Sequence, residues 1–164
     1  MDYLWTPWRY QYIENIKNSC RCVFCINHSG ENDESDFILL RGKFNFVILN
    51  IFPYTSGHLL VAPYEHVADL SKCSQELCCE MMELAKICKE AIFQVYHPDG
   101  FNLGMNLGRC AGAGVEHHVH LHIVPRWVGD ANFMSTVGET RVLPDTLENT
   151  FLKLRTYISS RKLN

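Results

Sequence analysis

The sequence predicts a single α+β domain, in which a mostly antiparallel sheet packs against one long helix. Three observations support this prediction. The 164 residues are about one domain's worth of chain, and an apolar content of 47% is enough for a hydrophobic core. The hydrophobic pattern also changes from short apolar stretches to a long stretch with helical spacing. We therefore expect residues 1–164 to form one domain.

Five short apolar stretches are predicted to be strands. "FILLRGKFNFVILN" favours two strands around a turn at Arg41, Gly42 and Lys43, and "HLLVAP" predicts a third strand that Pro63 ends. "FNLGMNLG" predicts a fourth strand, and "HHVHLHIVP" predicts a fifth. The expected strands therefore cover, in chain order, residues 37–40, 44–50, 58–63, 101–108 and 117–125.

Helical spacing is found in two places. From Ser74 to Tyr96 apolar residues recur at steps of three and four, which predicts an amphipathic helix with Ser74 as its N-cap. A C-terminal helical extension is expected within residues 140–164, with Pro144 near its start. Residues 1–21 have no clear period and are interpreted as an aromatic N-terminal arm.

The composition argues against several classes of protein. A formal net charge of −3 and a pI near 6.2 give no signal for nucleic-acid or membrane partners. No apolar run reaches the roughly 18 residues that a membrane span needs, and the start "MDYLWTPWRY" does not resemble a signal peptide. Eight cysteines without an export signal indicate reduced thiols in a cytoplasmic protein.

The stretch "GVEHHVHLHIVPRW" carries four histidines. Because side chains alternate along a strand, His118, His120 and His122 are expected to share one face, while His117 is out of phase. Unpaired buried imidazoles cost free energy, so three on one face indicate a function. Two chemistries remain open: a metal site, or nucleophilic attack of a neutral imidazole on phosphorus with a second imidazole nearby.

The glycine-rich loop before these histidines favours the phosphorus chemistry. "NLGRCAGAG" offers backbone N–H groups with little steric hindrance, which suits phosphate oxygens. Asn106 adds a side-chain donor at the start of the loop. A glycine-rich loop alone is weak support, but its place directly before three in-phase histidines makes it more specific.

Cys22 and Cys25 form a CxxC pair, which is open to three interpretations: a redox pair, half of a zinc site, or chance. A redox pair is expected at a helix N-terminus in a thioredoxin-like βαβ context, which the sequence does not predict here. A tetrahedral zinc site needs two further ligands. Cys20 is an alternative member of the pair, and His28 is an alternative fourth ligand.

Several motifs together resemble the histidine triad (HIT) family. The signature His-φ-His-φ-His-φ-φ, where φ is apolar, is matched by "HVHLHIV" at residues 118–124. "LNIFPYTSGHLLVAP" is similar to the family's nucleoside-binding strand and loop, and "NLGRCAGAG" to its phosphate loop. "CVFC" matches the zinc-binding subset. "LWTPWRYQYI", "PRWVGDANFM" and "TRVLPDTLENT" resemble the branch that contains diadenosine tetraphosphate (Ap4A) phosphorylases and related hydrolases.

The resemblance implies a HIT-like fold, with a five-stranded antiparallel sheet, one long helix and a C-terminal helix. It also implies catalytic roles for two histidines. His120 would attack the α-phosphorus and carry the nucleotidyl group, and His122 would stabilise charge beside the phosphate. His58 is interpreted as a structural residue that helps to order the nucleoside loop. The implied substrate-binding residues are Asn50 for the ribose, Ile48 and Ile51 for the base, Asn106, Ala113 and Gly114 for the phosphate, and Trp127 near the site.

The resemblance to the zinc-binding subset implies a structural Zn²⁺ held by Cys22, Cys25, His66 and His118, and no organic cofactor. His118 would then be a metal ligand and would not take part in the reaction. Pairing of family members into a continuous ten-stranded sheet implies a homodimer or a larger homo-oligomer.

The sequence departs from the family pattern at Gly114, where many members have a serine, and one extra residue lies near His117, which receives no role. The implied activity is hydrolysis or phosphorolysis of a nucleotide polyphosphate such as Ap4A through a nucleotidyl-histidine intermediate. The alternatives are a nucleoside phosphoramidate hydrolase, a zinc-stabilised nucleotide-binding or partner-binding module with little catalysis, or a catalytic metalloenzyme.

Overall fold

The computed structural model describes residues 22–26, 32–132, 135, 137 and 145–161. The expected N-terminal arm, the alternative ligands Cys20 and His28, and the first residues of the expected C-terminal extension, including Pro144, lie outside this part of the chain.

The centre of the fold is a five-stranded sheet in which every neighbouring pair of strands is antiparallel. The order across the sheet is β1-β2-β3-β5-β4. The prediction of an α+β fold with a five-stranded antiparallel sheet is therefore confirmed. The strands are β1 (Ile38–Arg41), β2 (Asn45–Leu49), β3 (Leu59–Pro63), β4 (Gly100–Gly104) and β5 (Leu121–Arg126).

The central strands are rich in Val, Ile, Leu and Phe without polar alternation, and all of their residues are buried. This pattern is typical of a sheet that is covered on both faces. The larger of two apolar clusters includes Val61, Leu121 and Ile123, and it contains the buried residues of the two long helices. The smaller cluster lies on the opposite face and includes Ile48 and Leu60. Alternation along each strand divides the residues between the two clusters.

The described residues include the α-helices α1 (Val23–Ile26), α2 (Gln75–Tyr96) and α3 (Leu147–Arg161), which pack around the sheet. Ser74 caps α2, with its Oγ accepting a bond from the N–H of Leu77 at 3.1 Å, as the sequence predicts. Short 3₁₀ turns cover Leu70–Lys72 and Arg109–Ala111. In the part of the chain that is described, no helix has the length and apolar character to cross a bilayer.

The fifth strand begins four residues later than predicted, at Leu121. Its ladder with β3 pairs Leu59, Leu60 and Val61 with Ile123, His122 and Leu121. Pro63 has no N–H to donate to a further rung. The chain over 118–120 instead bonds elsewhere, with the N–H of Val119 donating to the carbonyl of Val67 at 2.8 Å. The predicted fourth strand also ends early, at Gly104.

Glu80 on α2 ties this helix to the turn between β1 and β2. Its carboxylate accepts hydrogen bonds from the backbone N–H groups of Lys43, Phe44 and Asn45, and from the Asn45 side chain, at 2.6 to 2.9 Å. Burial raises the pKa of Glu80, but these hydrogen bonds outweigh that effect and lower it. The ionised carboxylate therefore holds three backbone donors that have no strand partner.

We expect Glu80→Gln to lower the free energy of unfolding by about 2 kcal/mol, because an amide cannot accept from all of these donors. Chemical denaturation at pH 7 measures the loss. Glu83→Gln is the matched control on the same helix, because the ion pair between Glu83 and Lys86 is mostly exposed. Loss of this ion pair should lower the free energy of unfolding by less than about 0.5 kcal/mol. Equal effects of the two substitutions would contradict this account.

Candidate active site and metal centre

Four histidines that lie on or just before two neighbouring strands meet on the face of the sheet opposite α2. His122 lies on β5 directly across from Leu60 of β3, and His58 immediately precedes β3. The ring centroid of His122 lies 4.9 Å from that of His120 and 5.1 Å from that of His58. His118 lies two residues before His120. The register between β3 and β5 determines which residues of the two strands lie opposite each other. The pairing of His58 with His122 therefore depends on the tertiary fold and cannot be read from the sequence.

The proton on His120 is fixed by the backbone. Its Nδ1 lies 2.9 Å from the carbonyl oxygen of His118, which can only accept, so Nδ1 carries the hydrogen. The other ring nitrogen, Nε2, then keeps a free lone pair on the neutral ring. Burial lowers the pKa of His120, although the backbone bond acts in the opposite direction. The neutral ring therefore has one nitrogen held and one nitrogen available for attack.

Protons on His58 and His122 are fixed by a chain of hydrogen bonds that begins in the backbone. The N–H of Tyr54 donates to Nδ1 of His58 at 3.1 Å. The amide of Asn50 donates to the same nitrogen at 3.2 Å, since its oxygen accepts from the N–H of Phe52. Neutral His58 must then carry its hydrogen on Nε2, which lies 2.9 Å from Nδ1 of His122. His122 therefore carries its own hydrogen on Nε2.

The Nε2 atom of His122 is a buried donor without a hydrogen-bond partner among the described residues. Buried polar groups without partners are rare and are often found at functional sites. On the next strand, the residue opposite His122 is Gly104, and a Cβ placed there would have no described atom within 4 Å. The site thus has a free donor and open space beside it.

Burial keeps both imidazoles of this pair neutral. Burial, together with the neighbouring His122 and His120, lowers the pKa of His58 from its ordinary 6.5 to about 3. Burial and the nearby His120 lower the pKa of His122 to about 4. At neutral pH the site therefore contains hydrogen-bond donors and lone pairs in fixed positions, without positive charge on these two rings.

A second cluster lies next to His120 and contains Cys22, Cys25, His66 and His118. Their potential ligand atoms all lie within 4.8 Å of one another. The Cys25 Sγ is 3.2 Å from Nδ1 of His66 and 3.7 Å from Nδ1 of His118, while the Cys22 Sγ is 3.4 Å from Nδ1 of His118. These separations are close to the roughly 3.6 Å between sulfur and nitrogen ligands of a tetrahedral zinc ion.

The orientation of His118 also suits a metal ligand. Its Nε2 lies 2.9 Å from the carbonyl of Pro63, so this nitrogen carries the hydrogen and Nδ1 presents a lone pair to the two thiols. Burial and the adjacent Cys22 raise the pKa of Cys25 to about 11, so two neighbouring thiolates need a cation. These residues could therefore hold a metal ion.

Cys25 lies on the one-turn helix α1 and Cys22 immediately precedes it; this short helix was not predicted from the sequence. Phe24, between the two cysteines, is buried in the smaller apolar cluster. Its ring centroid lies 4.9 Å from that of His120 and 5.1 Å from that of His118. The candidate metal cluster and the candidate nucleophile therefore share one aromatic contact.

The glycine-rich loop follows β4 and turns at two glycines. Gly108 and Gly112 have φ values of 81° and 83°, which only glycine adopts readily. The Asn106 amide spans the loop to the carbonyl of Gly112 at 3.4 Å, and the N–H of Ala113 donates to Gly108 at 3.4 Å. Two of the three donors expected to meet phosphate, those of Asn106 and Ala113, thus make long, weak bonds within the loop. Gly114 is exposed.

The residues expected to bind the nucleoside lie where β2 ends and in the loop that follows. Ile48 is buried in the smaller cluster with Phe24, whereas Ile51 is 49% exposed. Asn50 uses one end of its amide to orient His58, a contact that the sequence analysis did not predict. His58, interpreted above as a structural residue, belongs to the histidine cluster itself. Its place as the first residue of the predicted third strand was the available signal.

Trp127 lies just beyond the end of β5 that is opposite to His122. It follows the last residue of β5 and stands five positions after His122. At the rise of an extended strand this is a separation of about 16 Å along the sheet. Its N–H instead donates to the carboxylate of Asp130 at 3.3 Å.

The chain belongs to the histidine triad (HIT) family, since the model of the HIT domain matches residues 31–128. The resemblance described above is thereby confirmed. Among characterised relatives, the chain is 36% identical to the AP-4-A phosphorylase of Mycobacterium tuberculosis, over 90% of this chain and 79% of that protein. It is 35% identical to the adenosine 5'-monophosphoramidase hnt1 of Schizosaccharomyces pombe, over 64% of this chain and 74% of that protein.

Solved structures agree with this assignment. A zinc-bound histidine triad family protein from Mycobacterium smegmatis superposes with a TM-score of 0.70 at 33% identity, covering 87% of this chain and 96% of that chain. A hypothetical histidine triad nucleotide-binding protein from Sulfolobus tokodaii gives a TM-score of 0.67 at 27% identity, covering 86% and 94%.

We expect the buried His58–His122 pair to make stability depend on pH. The unfolded chain takes up protons near pH 6.5, but the native rings do so only near pH 3 and 4. The free energy of unfolding should therefore fall as pH decreases from about 6.5 towards 4, by at most about 1.4 kcal/mol per pH unit for each ring. Denaturant unfolding at a series of pH values with zinc in excess measures this slope.

His122→Asn should remove one ring's share of the slope. The matched control is His97→Asn, because His97 is exposed and caps α2 in the left-handed conformation, which asparagine tolerates. The control should keep the wild-type slope. A wild-type slope in His122→Asn would contradict the assignment of His122 as a buried neutral ring.

Proposed function

We propose that this protein is a nucleotidyl hydrolase or transferase that cleaves a nucleotide polyphosphate such as Ap4A through a nucleotidyl-His120 intermediate. One observation carries the proposal: His120 has a bare Nε2 held by the backbone bond on its other nitrogen, next to the unpartnered N–H of His122. A lone pair and a donor side by side fit an in-line displacement at phosphorus.

In the first step, Nε2 of His120 attacks the α-phosphorus. The N–P bond forms as the bond from phosphorus to the bridging oxygen breaks, and the polyphosphate departs with that electron pair. The carbonyl of His118 keeps the hydrogen on Nδ1 of His120 and stabilises the positive charge that develops on the ring. The N–H of His122 donates a hydrogen bond to an oxygen of the reacting phosphate or leaving group.

In the second step, water or inorganic phosphate attacks the nucleotidyl group and the N–P bond breaks, which returns neutral His120. With water the product is a nucleoside monophosphate, and a proton passes to solvent. With phosphate the product is a nucleoside diphosphate. The retained hydrogen on Nδ1 makes the imidazole a good leaving group, because the electron pair returns to a ring that is already cationic.

The neutrality of His122 favours a polyphosphate over an amine as leaving group. A departing polyphosphate is stable as an anion and needs only a hydrogen bond, whereas a departing amine needs a proton. A ring whose pKa is about 4 donates hydrogen bonds well but is rarely cationic at neutral pH. Phosphoramidate hydrolysis, the activity of the S. pombe relative by name, is therefore the second candidate.

The remaining substrate contacts are proposed from their place around this centre. Asn50, Ile48 and Ile51 would hold the nucleoside, since they line the strand end and loop that carry His58. For the phosphate, the donors would be Asn106 and the backbone of Ala113 and Gly114, once a phosphate replaces the long bonds within the loop. Trp127 is left out because of its distance along β5.

We propose Zn²⁺ as the ion of the second cluster, held by Cys22, Cys25, His66 and His118. Two sulfurs and two nitrogens are a donor set that zinc prefers, and four protein ligands leave no position for substrate. The ion would stabilise the fold without taking part in the reaction. Thiol ligands need reducing conditions, which supports a cytoplasmic location.

We also propose that the whole chain forms one domain and that two copies pair as a homodimer. Strand β4 lies at an edge of the sheet. Its exposed Leu103 lines one groove together with Met82 and Ile87, two exposed apolar residues of α2. An unpaired strand edge beside an apolar helix surface favours pairing with a second copy.

The proposed nucleophile is tested by His120→Ala. We expect Ap4A turnover to fall by about 10⁴-fold or more, because no other described group replaces the nitrogen that attacks phosphorus. His117→Ala is the matched control, since His117 is an exposed imidazole three positions away. Turnover is measured by chromatographic separation of nucleotides, and circular dichroism checks folding. Unchanged turnover in folded His120→Ala would overturn the mechanism.

Products formed from Ap4A identify the acceptor of the second step. If the enzyme is a phosphorylase, ADP and ATP should form only when phosphate is present. If it is a hydrolase, AMP and ATP should form in buffer without phosphate. Parallel incubation with adenosine phosphoramidate tests the second candidate. Tight AMP binding with no turnover of any of these substrates would indicate a binding module.

Zinc content is tested with Cys25→Ser. We expect about one Zn²⁺ per wild-type chain and a marked loss in the variant, with a lower melting temperature because the ion binds only the folded state. Elemental analysis and thermal unfolding measure both effects. Cys79→Ser, an exposed cysteine on α2, should keep the wild-type zinc content. Equal zinc content in the two variants would argue against the proposed ligand set.

A further inference from the structure

We propose that Tyr96, held by the C-terminal helix α3, is a positioning residue for the His58–His122 pair. The inference rests on the proposed function, because it assigns Tyr96 a part in orienting the donor that faces the leaving group. Tyr96 is the last residue of α2. Its effect would pass through Gly57, the residue before His58.

The first observation is the close approach of the Tyr96 ring to the backbone at Gly57. A Cβ on Gly57 would lie 3.3 Å from Cδ2 and 3.4 Å from Cε2 of Tyr96, and 3.7 Å from Ile92. Gly57 also has a φ of +80°, which a larger residue adopts only with strain. The ring of Tyr96 is thus packed directly against the peptide that enters His58.

The second observation is the network that fixes the Tyr96 hydroxyl. Its oxygen lies 3.0 Å from a carboxylate oxygen of Asp145 and 3.0 Å from Oγ1 of Thr150. Asp145 can only accept when ionised, so the phenol donates to it and Thr150 can donate to the phenol. Lys153 adds an ion pair with the same carboxylate at 2.6 Å. Burial raises the pKa of Tyr96 to about 12, with Asp145 contributing, so the phenol remains a donor.

The third observation is that the opposite side of the His58 turn is fixed to β5. The hydroxyl of Thr55 donates to the carbonyl of Pro125 at 3.1 Å, and the N–H of His58 bonds the carbonyl of Thr55 at 3.2 Å. Tyr96 supports the same turn from the helix side. The turn is therefore held between β5 and Tyr96, and the 2.9 Å bond from His58 to His122 depends on where that turn lies.

This arrangement gives α3 a part in the active site. The HIT model matches residues 31–128, so Asp145, Thr150 and Lys153 lie beyond the matched region. They nevertheless fix the ring that packs against Gly57. Removing the hydroxyl would free the ring to move, lengthen the His58–His122 bond, and weaken the preference of His122 for carrying its hydrogen on Nε2.

The test is Tyr96→Phe, which keeps the ring and removes its hydrogen bonds. We expect kcat for Ap4A to fall by about three- to tenfold with KM nearly unchanged, since the donor acts on the transition state. In the resting protein, nitrogen–proton correlation spectra of the imidazoles should detect a second tautomer of His122, which the wild type lacks. A loss of stability alone would not produce that signal.

Tyr157→Phe is the matched control: Tyr157 lies on α3 and is also partly buried against the core. It should keep the wild-type tautomer and kcat. Should Tyr96→Phe fail to fold, Asp145→Asn replaces it, because the amide weakens the same bond, and the same tautomer shift is expected. A wild-type His122 tautomer in the folded variant overturns the proposal, whether or not kcat falls.

The two failures can be separated, because the spectra need no substrate. A changed tautomer in a protein that turns over neither Ap4A nor adenosine phosphoramidate would contradict the proposed function and keep the positioning role. An unchanged tautomer in an active enzyme would contradict the positioning role of Tyr96 and leave the proposed function standing.

Discussion

The hydrogen bond from Nε2 of His58 to Nδ1 of His122, at 2.9 Å, is the contact on which the rest of the site depends. A neutral imidazole has one donor and one acceptor, and which nitrogen is which must be imposed from outside. Here the backbone N–H of Tyr54 imposes it on His58, which imposes it on His122. The carbonyl of His118 does the same for His120. Main-chain groups thus decide which ring nitrogen keeps a lone pair and which carries the hydrogen.

Much of the fold could be predicted from the sequence because its periods are strong. Short apolar stretches predicted the five strands, and the capping serine Ser74 correctly predicted the start of α2. The predicted start of β5 was wrong. The true start depends on where β3 ends and on the missing N–H of Pro63, and the hydrophobic pattern carries no information on which strand pairs with β5. The clustering of Cys22, Cys25, His66 and His118 agrees with the set that the family resemblance implied.

The contacts of the site that could not be predicted are those that depend on the register between β3 and β5. Sequence alternation placed three histidines in phase, but it carries no information on which residue of a distant strand lies opposite. His58 was therefore interpreted as a structural residue that orders the nucleoside loop, although its ring bonds that of His122 on the neighbouring strand. Closeness in sequence to the triad does not by itself place Trp127 beside it, because the extended strand β5 runs between His122 and Trp127.

The carbonyl of His118 has a consequence for what the chain can vary. On the proposed mechanism, position 118 serves the reaction through its main-chain oxygen, an atom that all twenty amino acids possess. Its imidazole faces the thiols, and its Nε2 donates to the carbonyl of Pro63. On the proposed assignments, the first histidine of the triad would serve metal binding, and the second and third would serve the reaction. A relative that does not bind the ion could therefore replace the first histidine and keep its activity, provided another side chain filled the space beside Phe24.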